Sequence, residues 1–184
     1  MKELIPNLFA TGALLLHILI PLTLIALFLK KKSKNKLVIK YLSFLSNNAY
    51  VFAFVFSLIA TLGSLFYSEI LKFQPCILCW YQRIFMYPQP ILLYLAIFRN
   101  ERVLKPYLLA MNVIGFVIAS YHYLLQRFPY ELPAPCSAVG ASVSCIKGYS
   151  FHYGYISIPL MAWTIFLVNI ILISLSKNTE AKKT

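Results

Sequence analysis

Aspartate is absent from this 184-residue chain, and only five glutamates stand against seventeen lysines and arginines. The net charge of +12 invites a nucleic-acid reading, but the signature for that is a basic patch on a soluble fold. Here the basic residues fall between apolar runs, so nucleic acid is excluded as a partner and the charges read as membrane-topology signals. Also missing are an internal repeat, a glycine-rich phosphate loop and a low-complexity region. What remains is one membrane domain. The chain is 60% hydrophobic with a mean hydropathy of +0.75, against about 45–50% apolar residues in ordinary soluble domains. These values describe an integral protein of the lipid bilayer.

Five apolar runs follow one another. Leu4 to Leu29 spans 26 residues, more than the roughly 20 a bilayer requires. A signal peptide would have an apolar core of about 7–15 residues with positive charge in front. Only Lys2 precedes this run, whereas Lys30, Lys31, Lys32, Lys34, Lys36 and Lys40 follow it, so it reads as a membrane helix with its N-terminus outside. The second run is Tyr50 to Leu71. The third, from Ile77 to Phe98, has 22 residues, which make about 33 Å of helix. Pro88 and Pro90 should bend it and free carbonyls near Ile84 and Met86. Tyr107 to Gln126 is the fourth run. The fifth, Tyr155 to Ser176, has Pro159 in its first turn, as at a helix start, and Trp163 within it reads as packing. The expectation is an all-α membrane protein.

Sidedness follows from charge. With the lysine-rich loop, the loop bearing Arg99, Arg102 and Lys105, and the tail bearing Lys177, Lys182 and Lys183 inside, twelve of the seventeen basic residues are cytoplasmic. Positive residues favour that side. The loops after the second and fourth runs are then both outside, in the oxidising compartment where disulfides persist.

Those two loops carry all four cysteines, grouped as 76/79 and 136/145, for which three pairings exist. If a helix begins at about Pro75, then Cys76, Cys79 and Arg83 share one face. Free N–H groups, the positive end of the helix dipole and a guanidinium would all favour thiolate over thiol. Singly, the cysteines fit small buried hydrophobes or half a zinc site, and Arg83 fits a side chain snorkelling to the headgroups. Together, at helical spacing, they favour redox chemistry. His122, between Tyr121 and Tyr123, reads two ways: interfacial packing or a hydrogen bond to a polar cofactor group. The loop from Arg127 to Tyr153 has no apolar period, and a disulfide would staple it. Cys136 and Cys145 enclose eight residues, a poor second half for a zinc site, and no metal is expected.

The run Pro75-Cys-Ile-Leu-Cys-Trp-Tyr-Gln-Arg-Ile-Phe-Met-Tyr-Pro88 resembles the DsbB family of thiol oxidases, and its Trp-Tyr-Gln-Arg portion the BdbC branch. Tyr67-Ser-Glu-Ile70, His122-Tyr123, Pro135-Cys136 and Ile156-Ser-Ile-Pro159 are similar to that branch too. The resemblance covers Tyr50 to Ser176. It implies a four-helix transmembrane bundle with two cysteine-bearing outer loops in residues 41–184, leaving residues 1–40 as an extra transmembrane helix and basic cytoplasmic loop. It further implies a quinone oxidoreductase of the bacterial cytoplasmic (inner) membrane that supports disulfide formation in exported proteins. Its electron donor would be an extracytoplasmic, thioredoxin-like dithiol oxidase of the DsbA kind, and its acceptor a membrane quinone, ubiquinone or menaquinone. Cys136 would be attacked by the partner. Electrons would pass from the Cys136/Cys145 pair to Cys76/Cys79 through a transient bond between Cys136 and Cys76. Cys79 would face the quinone, with Arg83, and in the same site His122, as its ligands. A DsbA-type partner is a strong oxidant at about −120 mV, so only a higher-potential acceptor re-oxidises it; the DsbA–DsbB–quinone route is the established example.

Overall fold

The computed structural model describes residues 4–32, 35–99, 102–128, 144–146, 148 and 151–176. Cys136, Lys147 and the basic tail beyond Ser176 lie outside the described residues. The helices, in order, are α1 (Leu4–Lys32), α2 (Lys36–Asn47), α3 (Ala49–Leu65), α4 (Ile77–Met86), α5 (Pro88–Phe98), α6 (Lys105–Arg127) and α7 (Ile158–Leu175). The protein is an all-α membrane protein, as expected. Stretches of α1, of α3 with its continuation to Ile70, of α6 and of α7 are each long and apolar enough to cross a membrane.

The third run folds as two helices, α4 and α5. Pro88 and Pro90 lack the N–H groups that would continue the ladder, and α4 gives way to α5 at Tyr87. The Gln89 side chain adds a bond at this break, its Nε2 donating to the Phe85 carbonyl at 2.8 Å. Its Oε1 accepts from Asn169 Nδ2 at 3.0 Å, and the same nitrogen donates to Ser57 Oγ at 2.8 Å. This buried polar knot ties α3, α5 and α7 together where no water competes.

α3, the α4–α5 pair, α6 and α7 form the four-helix bundle. Its most extensive helix pair is α6 with α7. Gly115 allows that approach: a Cβ there would lie 2.4 Å from the Phe166 ring. Ala49, Ala53, Leu93, Leu108, Leu172 and Ile173 fill the core at one end. α1 lies against α7. Ala10 and Ala13 pack with Ile156 and Leu160 in a seam of small residues that permits close contact.

Two features depart from expectation. The stretch taken as a basic loop is partly helical: Asn35 Oδ1 accepts the Leu37 N–H at 3.0 Å and starts α2. Leu42 turns inward while Lys36 and Lys40 stay exposed, the pattern of a helix lying in the membrane interface. Secondly, α3 ends in a π-helical turn, Phe66–Ile70. Lys72 then takes a left-handed conformation with φ 59°, and the Phe73 N–H returns to the Tyr67 carbonyl at 3.0 Å. The chain is thereby turned into the segment before Cys76.

Candidate functional site

α4 starts at Ile77, where the third apolar run begins, and Pro75 lies just ahead of it. Cys76, with extended backbone (φ −73°, ψ 172°), is its N-cap. The sulfur of Cys76 therefore sits beside the unpaired N–H groups of the first turn. Cys79 is one turn in, and the two Sγ atoms are 3.3 Å apart. Both are free thiols at a separation well beyond the roughly 2.05 Å of a disulfide bond. Only a small movement separates the reduced pair from the bonded one.

The two sulfurs face different surroundings. Cys76 is buried and packs in one apolar cluster with Leu78, Leu125 and the buried Cys145. The loop after α6 thus brings Cys145, which is disulfide-bonded, to the C-x-x-C end of the bundle. Cys79 lines a cavity of about 550 Å³ enclosed by α1, α3, α4 and α7, a size in the usual range of about 300–1,000 Å³ for small-molecule sites.

His122, buried on α6, reaches across to this pair. Its Nε2 lies 3.6 Å from Cys76 Sγ, and its Nδ1 lies 2.8 Å from Gln82 Nε2. The Gln82 amide nitrogen is a donor, so Nδ1 accepts and the ring proton stands on Nε2, aimed at sulfur. The interfacial reading of His122 is set aside by its burial. It contacts a cysteine and is not among the cavity-lining residues. The Cys76 thiol is held well below the usual range, first by the hydrogen bond shared with Cys79, with burial opposing and a hydrogen bond from His122 adding to it. The centre is built to hold a thiolate at Cys76.

Arg83 lines the cavity beside Cys79. Its Nε donates to Ser64 Oγ at 3.1 Å and its Nη2 to the Ser64 carbonyl at 3.2 Å. The guanidinium stacks over Trp80, 5.1 Å from the ring centroid, and lies 5.8 Å from that of Tyr87. Tyr87 Oη also donates to Ser64 Oγ at 3.1 Å. These contacts hold the guanidinium against Ser64 and two aromatic rings. Tyr67 lines the same cavity, and its buried hydroxyl has no hydrogen-bond partner among the described residues. An orphaned hydroxyl and an Arg with donors to spare, at one end of an otherwise apolar cavity, fit a ligand with a carbonyl-bearing head and an apolar body.

Cys76, Cys79, Arg83, His122 and Cys145 thus converge on one end of the bundle. Gln82, Ser64 and Tyr67 were missed in the sequence. Gln82 carried a signal, because a buried amide three residues beyond Cys79 in a membrane helix is costly unless used. Ser64 carried none.

Helices that cross the bilayer, joined at one end by paired cysteines, define an integral membrane thiol–disulfide protein. The sequence model of the family described as "Disulfide bond formation protein DsbB" matches residues 46–175. "Disulfide bond formation protein C" of Bacillus subtilis is 40% identical over 150 residues, covering 81% of this chain and 99% of that protein. "Probable disulfide formation protein C 1" of Bacillus anthracis is 45% identical over 109 residues, 58% of this chain and 75% of that one. The "SPbeta prophage-derived disulfide bond formation protein B" of Bacillus subtilis is 38% identical over 117 residues, 64% and 77% respectively. No solved structure matches. The chain belongs to the DsbB family of disulfide bond formation proteins.

Proposed function

We propose that this protein re-oxidises an extracytoplasmic thioredoxin-like dithiol of the DsbA kind and passes the electrons to a membrane quinone. One observation carries the reading: Cys76 packs with Cys145 while its neighbour Cys79 lines the apolar cavity with Arg83. The inner pair so bridges an outer-loop cysteine and a site suited to a lipid-soluble ligand.

The exchange runs as follows. A partner thiolate attacks Cys136, the bond from Cys136 to Cys145 breaks, and Cys145 leaves as thiolate. The partner's second thiolate then attacks the mixed disulfide, which releases the partner oxidised and leaves Cys136 and Cys145 reduced. Cys136 next attacks Cys76 of the oxidised inner pair and frees Cys79. Attack of Cys145 on Cys136 restores the outer disulfide and frees Cys76. Two electrons and two protons now reside on Cys76 and Cys79, and the pair gives them up when its S–S bond re-forms. A quinone held in the cavity supplies the acceptor for both. Arg83 and the Tyr67 hydroxyl would hold its oxygens, and His122 stabilises the Cys76 thiolate. The apolar walls keep competing water from the sulfurs. The charge distribution supports placing the cysteine end outside the bacterial cytoplasmic membrane.

Anaerobic mixing of the purified protein with a reduced DsbA-type partner and a quinone tests this. Quinol should form in step with partner disulfide; with Cys76→Ser no quinol should form, and partner disulfide should stop at the single equivalent that the outer pair supplies. Partner oxidation that continues beyond that equivalent without quinol would end the proposal.

A second reading rests on the ligand atoms of Cys76, Cys79 and His122, which lie within 4.8 Å of one another. That set suits a soft cation such as zinc. Metal analysis of the reduced protein separates the two, because stoichiometric metal that survives purification and blocks turnover would favour this alternative.

A further inference from the structure

α1 lies outside the part of the chain that matches the family, yet it forms a wall of the cavity. Residues from Leu8 to Leu19 line it, a stretch of about 16 Å along the helix. Opposite them, at the polar end, are Cys79, Gln82 and Arg83. The Phe9 ring closes the cavity near that end. It packs against Gly63, where a Cβ would meet it at 3.2 Å, and lies 6.2 Å from the Tyr67 ring.

Side-chain hydrogen bonds hold α1 in this place. Thr164 Oγ1 donates to the Leu160 carbonyl and so accepts from His17 Nε2 at 2.7 Å. Tyr155 Oη lies 3.2 Å from His17 Nδ1, which the same tautomer leaves as acceptor. Nearer the end of the helix, Thr11 Oγ1 and Tyr153 Oη are 2.8 Å apart. A helix held only by apolar packing would gain little in lipid, where its neighbours' side chains are no more apolar than the solvent. These bonds specify both the rotation and the height of α1.

The face so presented is open at one point. Gly12 lines the cavity, and a Cβ added there meets nothing within 4 Å. Packing does not require glycine at this position; its smallness leaves the lane beside it wide.

We infer that α1 is the tail-binding wall of the acceptor site: it forms, with α7, an apolar lane for the isoprenoid chain of a quinone whose head lies at Arg83. This rests on the function proposed above and adds what that reading leaves open, namely that the site takes a long-tailed quinone and that the additional helix recognises the tail.

The test uses the full-length protein in detergent. Equilibrium binding of a long-tailed and a tail-less quinone is followed by quenching of tryptophan fluorescence, Trp80 being stacked on Arg83. Gly12→Leu should weaken the long-tailed ligand about tenfold by occupying the lane and leave the tail-less one unchanged. A quinone carrying a photoreactive group in its tail should label residues 8–19 of the unaltered protein, a readout that does not depend on how the variant folds. If Arg83→Ala abolishes quinone binding but the label falls only on α3 and α4, the cavity binds quinone and α1 is not its wall, and this inference falls alone. If no quinone binds at all, it falls together with the proposed function.

Discussion

Gln82 Nε2 stands 2.8 Å from His122 Nδ1, and this contact decides which ring nitrogen presents a proton to Cys76. Without it the buried imidazole would be free to take the other tautomer and turn a lone pair toward the sulfur. Gln82→Leu should therefore raise the pKa of the Cys76 thiol. It should also destabilise the protein by about 1–3 kcal/mol, the cost of a buried polar atom left unpaired. Thiolate absorbance of the reduced protein, compared with Cys76→Ser, measures the first effect. Unchanged Cys76 ionisation in Gln82→Leu would show that Gln82 only packs.

The depressed Cys76 pKa has a consequence for stability. A group whose folded pKa lies below its unfolded value contributes stability that is complete above the unfolded value, about 8.5 for a thiol, and is lost as pH falls through the folded one. The reduced protein should accordingly lose melting temperature relative to the oxidised protein as pH is lowered from 8.5 into the acid range. The oxidised protein has no thiol at Cys76 and lacks this dependence. Parallel melting curves across that range would contradict the thiolate assignment.

Cys136→Ser and Cys76→Ser should both stop turnover, at different stages. Without Cys136 no mixed disulfide with the partner should accumulate. Without Cys76 the outer pair still exchanges once with the partner, and electrons go no further. Non-reducing electrophoresis after mixing with a partner that lacks its resolving cysteine distinguishes these states. Partner capture and normal turnover by Cys136→Ser would reverse the assigned order.

The helices and the cysteine centre were legible because both depend on local pattern. The apolar runs exceed a bilayer's thickness, and Cys79 and Arg83 are four residues apart on one helix. α2 was hidden because its lysines dominated a stretch whose inward-facing Leu42 belongs to a short helix. The start of α4 at Ile77 agrees with the third apolar run, but Pro75 lies before the first turn and not in it, because the chain stays extended through Cys76. The role of His122 was undecidable locally: it needs α6 to lie against α4, a tertiary fact. Ser64, which orients Arg83, and the α1 wall of the cavity depend on tertiary placement in the same way.

Membrane orientation is open to direct measurement. The topology expected from the sequence assigns twelve of the seventeen basic residues to the cytoplasmic side, so a reporter fused after Phe128 should report the outer compartment and one fused in the Lys30–Lys40 segment the cytoplasm. A cytoplasmic signal at the Cys145 loop would put the relay out of reach of any exported partner.

Arg83 offers the sharpest separation of binding from exchange. Its guanidinium is fixed by Ser64 and by the Trp80 and Tyr87 rings, so donors not taken by Ser64 remain for a ligand oxygen in the cavity. Arg83→Lys keeps the charge but loses the planar fork and the stacking, whereas Arg83→Ala loses both. Hydrogen bonds to a charged group contribute about 1.5–3 kcal/mol, so alanine should weaken quinone use by about ten- to a hundredfold, with lysine intermediate. Exchange between the partner and the outer cysteine pair should be nearly unchanged, since Arg83 lies on the cavity side of Cys79. Stopped-flow measurement of both half-reactions reads the two effects separately. Unchanged quinone KM and turnover in Arg83→Ala would take Arg83 out of the acceptor site and leave it a structural partner of Ser64.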